Sequence, residues 1–344
     1  MKFDFLIGNP PYQEEQEGGN KTYATPVYNL FIDAAYHVAD KVELIHPARF
    51  LFNAGSTPKQ WNKRMLNDPN VKVIYYEQRS SNIFPNTEIK GGIAITYRDK
   101  NTLFGEIGTF TPYQELNSIL RKVCHREDFT SFSTMAITSY AYHFTDKLHV
   151  DHPEIKEQLS EGHAFDLKSN VFEKIPQVFF SNRPNDGEKY IQIIGREKNQ
   201  RVFKYIKAVY VNRVENLEMY KVVLPAATGN GGLGEEISSP FVAGPNVGST
   251  ETFCSIGCFS TNAEAENALK YIKTKFTRAL LSVLKVTQHL TPDKWFYVPA
   301  QGFTPSSDID WSKPIPQIDQ QLYRKYGLTD EEITFIETHV KEMT

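Results

Sequence analysis

The stretch Phe3-Asp4-Phe5-Leu6-Ile7-Gly8-Asn9-Pro10-Pro11-Tyr12 decides how the rest of the chain is read. Phe3 to Ile7 is a short apolar run halted by Gly8 and two prolines, the pattern of a buried strand feeding a loop. Elsewhere Asn-Pro-Pro-Tyr would be a turn, but open α/β sheets bind ligands at the carboxyl ends of their strands. The residue types suit work at an exocyclic amine. The side-chain oxygen of Asn9 and the carbonyl of Pro10 can both accept hydrogen bonds from one NH₂ group, which orients the nitrogen lone pair and favours positive charge there. Pro10 and Pro11 fix φ and stiffen the loop. Tyr12 offers a ring face on which a flipped-out base can stack.

Strand and helix signals alternate outward from this loop. Thr25-Pro26 starts a helix whose Val27, Leu30, Phe31, Ala34, Ala35 and Val38 share one face. Val42 to Ile45 is a strand, and Thr57-Pro58 opens a helix carrying Trp61, Arg64, Met65 and Leu66. Val71 to Tyr76 and Gly92 to Tyr97 are further strands. The order predicts a parallel α/β sheet flanked by helices and closed by a strand expected to run antiparallel, each strand apolar on both faces. Beyond residue 100, short aromatic strands and Gly/Pro turns predict an α+β domain. Its clearest helix runs from Thr261 with the stripe Ala265, Ala268, Leu269, Ile272, Phe276, Leu280 and Leu284. Residues 301–316 are rich in Pro, Ser and Asp and read as a linker to terminal helices. The expected division is 1–102, 103–300 and 301–344.

On the Asn9–Tyr12 loop and the strand before it, the first region resembles the catalytic half of a gamma-class DNA adenine-N6 methyltransferase of restriction–modification systems. Ser81-Asn82-Ile83-Phe84-Pro85, ahead of a strand, matches the family's downstream aromatic. The resemblance implies that Phe84 packs on the opposite face of the target adenine from Tyr12; otherwise it is an ordinary loop aromatic. Asn9, Pro10, Pro11, Tyr12 and Phe84 are the implied catalytic residues, with Gln13 and Lys90 as further lining candidates. Leu44 to Asn53 resembles the family's next strand and loop, and His46 within it reads as structural rather than as a base. Residues 217–343 are similar to the family's C-terminal part, which holds the target-recognition domain. The matching stretches are Lys221 to Pro225, Gly229 to Gly234, Thr250 to Thr252, Lys273 to Phe276, Thr287-Gln288 and Leu322 to Leu328. The implied fold is a partial class I methyltransferase (Rossmann-like) sheet, then an α+β target-recognition domain and a short helical C-terminus.

Charge sets where DNA contact would fall. Lys plus Arg number 38 against 41 Asp plus Glu, so a uniformly cationic nucleic-acid coat is excluded and any contact comes from local patches. Arg196, Lys198, Arg201, Lys204 and Lys207 interleave with Phe203, Tyr205 and Tyr210, followed by Arg213; Lys273 and Lys275 follow Lys270, ahead of Arg278. Each cluster is either a backbone-binding surface or a solvated face. Lys273, Lys275 and Arg278 cannot all share one helical face. Three cysteines argue against a disulfide scaffold, and Cys254 with Cys258 lacks the second pair a zinc site needs, so no metal is expected. No apolar run approaches the ~20 residues of a membrane span. A cytoplasmic protein is expected.

The cofactor is the open question. In the family, S-adenosylmethionine sits on a half that precedes Asn-Pro-Pro-Tyr, using a Gly-rich turn and an acidic residue about 20 positions on. Eight residues precede Asn9 here. The turn Gly229 to Gly234 follows an apolar strand, but Ile237 to Pro245 is no helix; the turn either approaches a nucleic-acid backbone or is a long surface loop. The expectation is a chain that keeps base handling and DNA recognition without the seat for S-adenosylmethionine. Its partners would be double-stranded DNA and a cofactor-binding methyltransferase domain or subunit. Three roles follow: part of an adenine methyltransferase, a DNA-recognition subunit idle in methylation, or a protein-interaction remnant.

Overall fold

The computed structural model describes residues 2–14, 25–52, 55–85, 87, 89 and 91–343. The chain forms two compact units, residues 1–117 and 118–344. The first boundary thus falls at 117 rather than 102, and residues 301–343 lie within the second unit.

In the first unit the order is β1 (Phe3–Gly8), α1 (Tyr28–Val38), β2 (Ala39–Pro47), α2 (Lys59–Leu66), β3 (Val71–Glu77) and β4 (Ile93–Asp99). They form one sheet in the order β1-β2-β4-β3. β1 pairs parallel with β2, while β4 runs antiparallel between β2 and β3. The antiparallel strand is therefore internal. The loops after β1, β2 and β3 and the approach to β4 all gather at one end of the sheet.

One face of this sheet is packed. Tyr28, Ile32 and Ala35 of α1 and Trp61 and Met65 of α2 bury against Val42 and Leu44, with Leu6 joining from β1. Each fully buried side chain of this size contributes about 1.5–3 kcal/mol. The buried stripe of α1 is rotated from the expected one: Tyr28 and Asn29 are inside, whereas Leu30 and Phe31 are 62% and 47% exposed. Asp33 fixes that rotation by accepting from the Trp61 indole N–H (3.0 Å) and from Arg64 (2.5 Å) on α2. The expectation that β1 is buried on both faces also fails. Phe3, Phe5 and Ile7 are 49%, 45% and 72% exposed. They alternate with Leu6, so they point to the sheet's other face, and among the described residues β1 is an edge strand that pairs with β2 alone.

The second unit contains β5 (Ala136–Ile137), β6 (Tyr190–Glu197), β7 (Gln200–Lys207), β8 (Tyr220–Pro225), β9 (Phe241–Ala243), β10 (Val247–Ser249) and β11 (Phe253–Phe259). They make two sheets, β10-β6-β7 and β5-β11-β8-β9. Ile191, Ile193 and Ile206 of the β6–β7 hairpin pack on Phe144, Phe172 and Phe179. The helix expected from Thr261 is two: residues Asn262–Lys273 and Lys275–Leu281. Thr274 breaks it, its hydroxyl accepting from the Thr277 N–H and donating to the Tyr271 carbonyl. Asp319 reinforces the restart by accepting from the N–H groups of Lys275 and Phe276. Residues 301–316 are not a loose linker. Phe303 and Trp311 are buried, and the Trp311 indole donates to the Gly302 carbonyl and Ser307 hydroxyl. Helix Asp330–His339 starts with the reciprocal cap of Thr329 and Glu332. Among the described residues no helix is long and apolar enough to cross a membrane, and no cluster of His, Cys, Asp and Glu has the arrangement of a metal site.

Candidate base-binding loop and nucleic-acid interface

The Asn9–Tyr12 loop leaves the carboxyl end of β1 and is tied to the start of α1. The Tyr12 carbonyl accepts from the Val27 N–H at 3.2 Å, and Gln13 forms an antiparallel bridge with Pro26. Asn9 is exposed, while the Tyr12 ring packs on the apolar cluster beneath. The Tyr12 hydroxyl is buried, and among the described residues no well-formed hydrogen bond reaches it, the Asn9 side chain lying nearest. Burial pushes this phenol's pKa up, against a smaller opposing effect of the neighbouring Asn9 side chain. A phenol so placed keeps its proton.

Phe84 comes from the segment between β3 and β4, whose path is set by Ser80. The Phe84 N–H donates to the Ser80 carbonyl at 2.8 Å. The Ser80 hydroxyl donates to the Thr87 carbonyl and accepts from the Ile89 N–H. This brings the rings of Phe84 and Tyr12 to 6.5 Å between centroids at 65°, an edge contact. Two rings on either face of a base lie about 7 Å apart and near parallel, from two carbon–carbon contact distances. The pair must swing open by rotation to admit one.

His46 is fully buried, with Nε2 2.8 Å from the Thr96 hydroxyl and Nδ1 3.1 Å from the Pro47 carbonyl. Its ring stacks on Tyr28 at 6.0 Å and 7°. Burial depresses its pKa to about 4, so the imidazole is neutral and structural. Lys90 lies outside the described residues. The residue that periodicity did not single out is Arg49, in a 3₁₀ turn directly after β2. Only its position at the carboxyl end of a strand beside the Asn9 loop hints at it in the sequence.

The basic clusters divide sharply. Lys198 and Asn199 take φ of 49° and 63°, making the two-residue turn between β6 and β7. Alternation then puts Arg196, Arg201, Phe203, Tyr205 and Lys207 on one face of the hairpin. Arg196 and Arg201 are direct cross-strand partners, both exposed, which is unfavourable unless an anion lies across them. Arg201 lies over the rings of Phe241 (5.0 Å) and Phe253 (5.3 Å), held flat beside the exposed Phe203. Burial first, and the charge of Arg196 second, lower its pKa. Lys204 points to the other face, 2.5 Å from Glu197 and over the Phe172 ring, and Lys207 pairs with Glu188 at 3.3 Å. Lys275 pairs with Glu337 at 2.5 Å. Lys273 ends its helix half-buried. Arg278 is buried, donating to the carbonyls of Lys273, Gly234 and Lys341. Arg196, Lys198 and Arg201 are thus exposed cations of the predicted set; Arg213 is exposed too but pairs with Glu218 at 2.6 Å.

The Gly-rich turn carries its own anion. The N–H groups of Asn230, Gly231 and Gly232 all donate to the Glu235 carboxylate. Glu235 is paired with the buried Lys285, which also donates to the Thr228 carbonyl. Burial acts to raise the Glu235 pKa, but Lys285 and the backbone donors outweigh it and hold the carboxyl below its ordinary range. Of the two readings of this turn, the self-capped loop is the one built.

Residues 1–84 match the family model described as Eco57I restriction-modification methylase. Over 121 residues the chain is 31% identical to an uncharacterized adenine-specific methylase of Mycoplasma pneumoniae, a match covering 32% of this chain and 29% of that protein. Among solved structures, the type IIG restriction endonuclease BpuSI aligns over 93% of this chain and 48% of its own, at 10% identity and a TM-score of 0.34. The type IIL restriction-modification enzyme MmeI, in complex with DNA, aligns over 98% of this chain and 56% of its own, at 9% identity and a TM-score of 0.38. The chain spans less than a third of the curated relative's length and about half of each solved chain. The resemblance to adenine methyltransferases of restriction–modification systems, read from the Asn9–Tyr12 loop, is borne out on the family model and this relative.

Proposed function

We propose that this chain is the base-handling and DNA-contacting part of an adenine-N6 DNA methyltransferase of a restriction–modification system. The observation that carries the reading is the meeting of Tyr12 and Phe84 beside Asn9 at the carboxyl end of the sheet. The flipped adenine stacks between the two rings, each worth about 1–3 kcal/mol. Its amine donates to the Asn9 side-chain oxygen and the Pro10 carbonyl. Those acceptors turn the nitrogen lone pair outward and stabilise the positive charge that grows as nitrogen forms its new bond. The surplus proton leaves afterwards to solvent, so no general base is required, in keeping with the neutral, buried His46.

The residues described do not fit S-adenosylmethionine. The glycine turn after β8 has its N–H groups occupied by Glu235, and no helix follows it. The methyl donor is held by a further segment or subunit that packs along β1. The edge of β1, unpaired among the described residues, and its exposed Phe3, Phe5 and Ile7 are the surface such a segment would complete, since an open strand edge and an exposed apolar patch both invite a partner. Ile7→Glu, at the most exposed of the three, is expected to abolish methylation in the completed enzyme while leaving the thermal unfolding of this chain unchanged. Normal activity of that variant would remove β1 from the interface.

DNA is held at the tip of the β6–β7 hairpin, where the exposed Arg196, Lys198 and Arg201 meet phosphates and Phe203 supplies a ring. The measurement is the salt dependence of affinity for a 30-base-pair duplex of mixed sequence. Arg196→Ala with Arg201→Ala should flatten the slope of log affinity against log salt by about two. Lys204→Ala, already neutralised by Glu197, should leave it unchanged. An unaltered slope in the double variant would place DNA elsewhere.

A further inference from the structure

Arg49 is exposed at the carboxyl end of β2, the strand next to β1, and its stem is held rather than free. Gly91 has φ of 89° and lies so close that an added methyl would sit 2.6 Å from Arg49 Cγ. Gly55, with φ of 86°, faces the other side, and a methyl there would sit 3.2 Å from Arg49 Cβ. Gly91 ends the segment that carries Phe84, so the arginine and the stacking ring are fixed by one piece of backbone. Burial raises the pKa of the Tyr28 phenol, and the nearby charge of Arg49 works against it. Tyr28 follows Val27, whose N–H donates to the Tyr12 carbonyl. Among the described residues the guanidinium has no carboxylate partner, unlike Arg64, Arg98, Arg126 and Arg213. A guanidinium with a fixed stem and unspent donors is a receptor for a planar or tetrahedral oxyanion.

We propose that Arg49 binds the phosphodiester next to the nucleotide whose base enters between Tyr12 and Phe84. Two rings and two acceptors hold a base but leave its sugar–phosphate strand free to swing. A cation fixed to the Phe84 segment gives that strand a second anchor and sets how far the base travels in. The inference rests on the base-holding reading, and its test separates the two.

The probe is the single-stranded heptamer dTTTATTT, which needs no flipping, bound to the full chain and followed by anisotropy. Each of its six linkages is replaced in turn by an uncharged methylphosphonate. Wild type is expected to bind about five- to tenfold more weakly with one linkage beside the adenosine neutralised. Arg49→Gln keeps the stem over Gly91 and removes the charge. It should lose the same factor on the native heptamer and become indifferent to that linkage, with Arg49→Lys recovering part. Matching linkage profiles in wild type and Arg49→Gln would overturn the proposal, even if both bind. If instead the arginine-dependent linkage persists while replacing adenine by hypoxanthine costs nothing, the phosphate contact stands and base holding fails.

Discussion

Replacing Asn9 by alanine is expected to slow methyl transfer by the completed enzyme about 10²–10³-fold, with duplex affinity changed less than threefold. Removing one preorganised dipole aimed at developing charge has that scale of effect. The charge lies on the amine nitrogen, and the side-chain oxygen of Asn9 is one of two acceptors directed at it. Duplex affinity survives because phosphate contacts dominate it and come from another surface. Tyr12→Ala should differ in kind. Losing a ring weakens binding of the extruded base by about 1–3 kcal/mol, so it raises the substrate requirement as well as lowering the rate. Single-turnover rates at saturating DNA separate the two variants. An Asn9→Ala enzyme within tenfold of wild type would mean that the amine is oriented by something else.

Glu235→Ala is expected to destabilise the second unit by about 3 kcal/mol, lowering its melting temperature by roughly 6–12 °C. The carboxylate is the counter-charge of Lys285, whose side chain is only 2% exposed, and the acceptor for three backbone N–H groups of the glycine turn. Removing it leaves a buried ammonium uncompensated and three donors without partners. The pH dependence has a definite sign. The folded pKa of Glu235 is depressed below its ordinary 4.5, so the pair contributes its stability above that value. The contribution is lost as pH falls through the folded pKa, and wild type and variant should converge in acid. Exchanging Lys285 for methionine in the Glu235→Ala background should restore much of the loss. Denaturant midpoints at pH 7 and through a titration into acid, well below the ordinary carboxyl value, check both statements. A difference under 1 kcal/mol at pH 7 would show that the turn does not depend on its internal anion.

What was legible in the sequence was local chemistry. Asn9 to Tyr12 could be placed after a strand because Gly8 and two prolines end the apolar run within a few residues. The alternation that follows fixed the number of strands in the first unit and the two helices between them. Thr261 marked a helix start that the structure builds, its hydroxyl accepting from the Glu264 N–H. Thr274 with Thr277 carried a comparable signal, overlooked because the apolar stripe continued through it from Ile272 to Phe276 and Leu280.

The missed features depend on what lies opposite. Phe3, Phe5 and Ile7 have the composition of a central strand, and only the pairing order shows β1 at an edge. Leu30 and Phe31 suit a buried helix face as well as Ile32 does. The rotation is decided by Asp33 reaching Trp61 and Arg64, about thirty residues away. The cations show the same limit. Lys275 looks like part of a DNA-binding run until Glu337, sixty-two residues on, is found beside it. Arg196 and Arg201 gain significance only once the hairpin register makes them direct neighbours.

In the proposed function the Asn9–Tyr12 loop and Phe84 hold an adenine by its exocyclic amine. The direct measurement is the affinity of the full chain for dTTTATTT against the same heptamer with hypoxanthine in place of adenine. Hypoxanthine keeps the stacking surface but sets an oxygen against the two acceptors. Wild type should prefer the adenine heptamer about tenfold, and Asn9→Ala should bind the two alike. Equal affinities in wild type, or a preference that survives Asn9→Ala, would contradict the account.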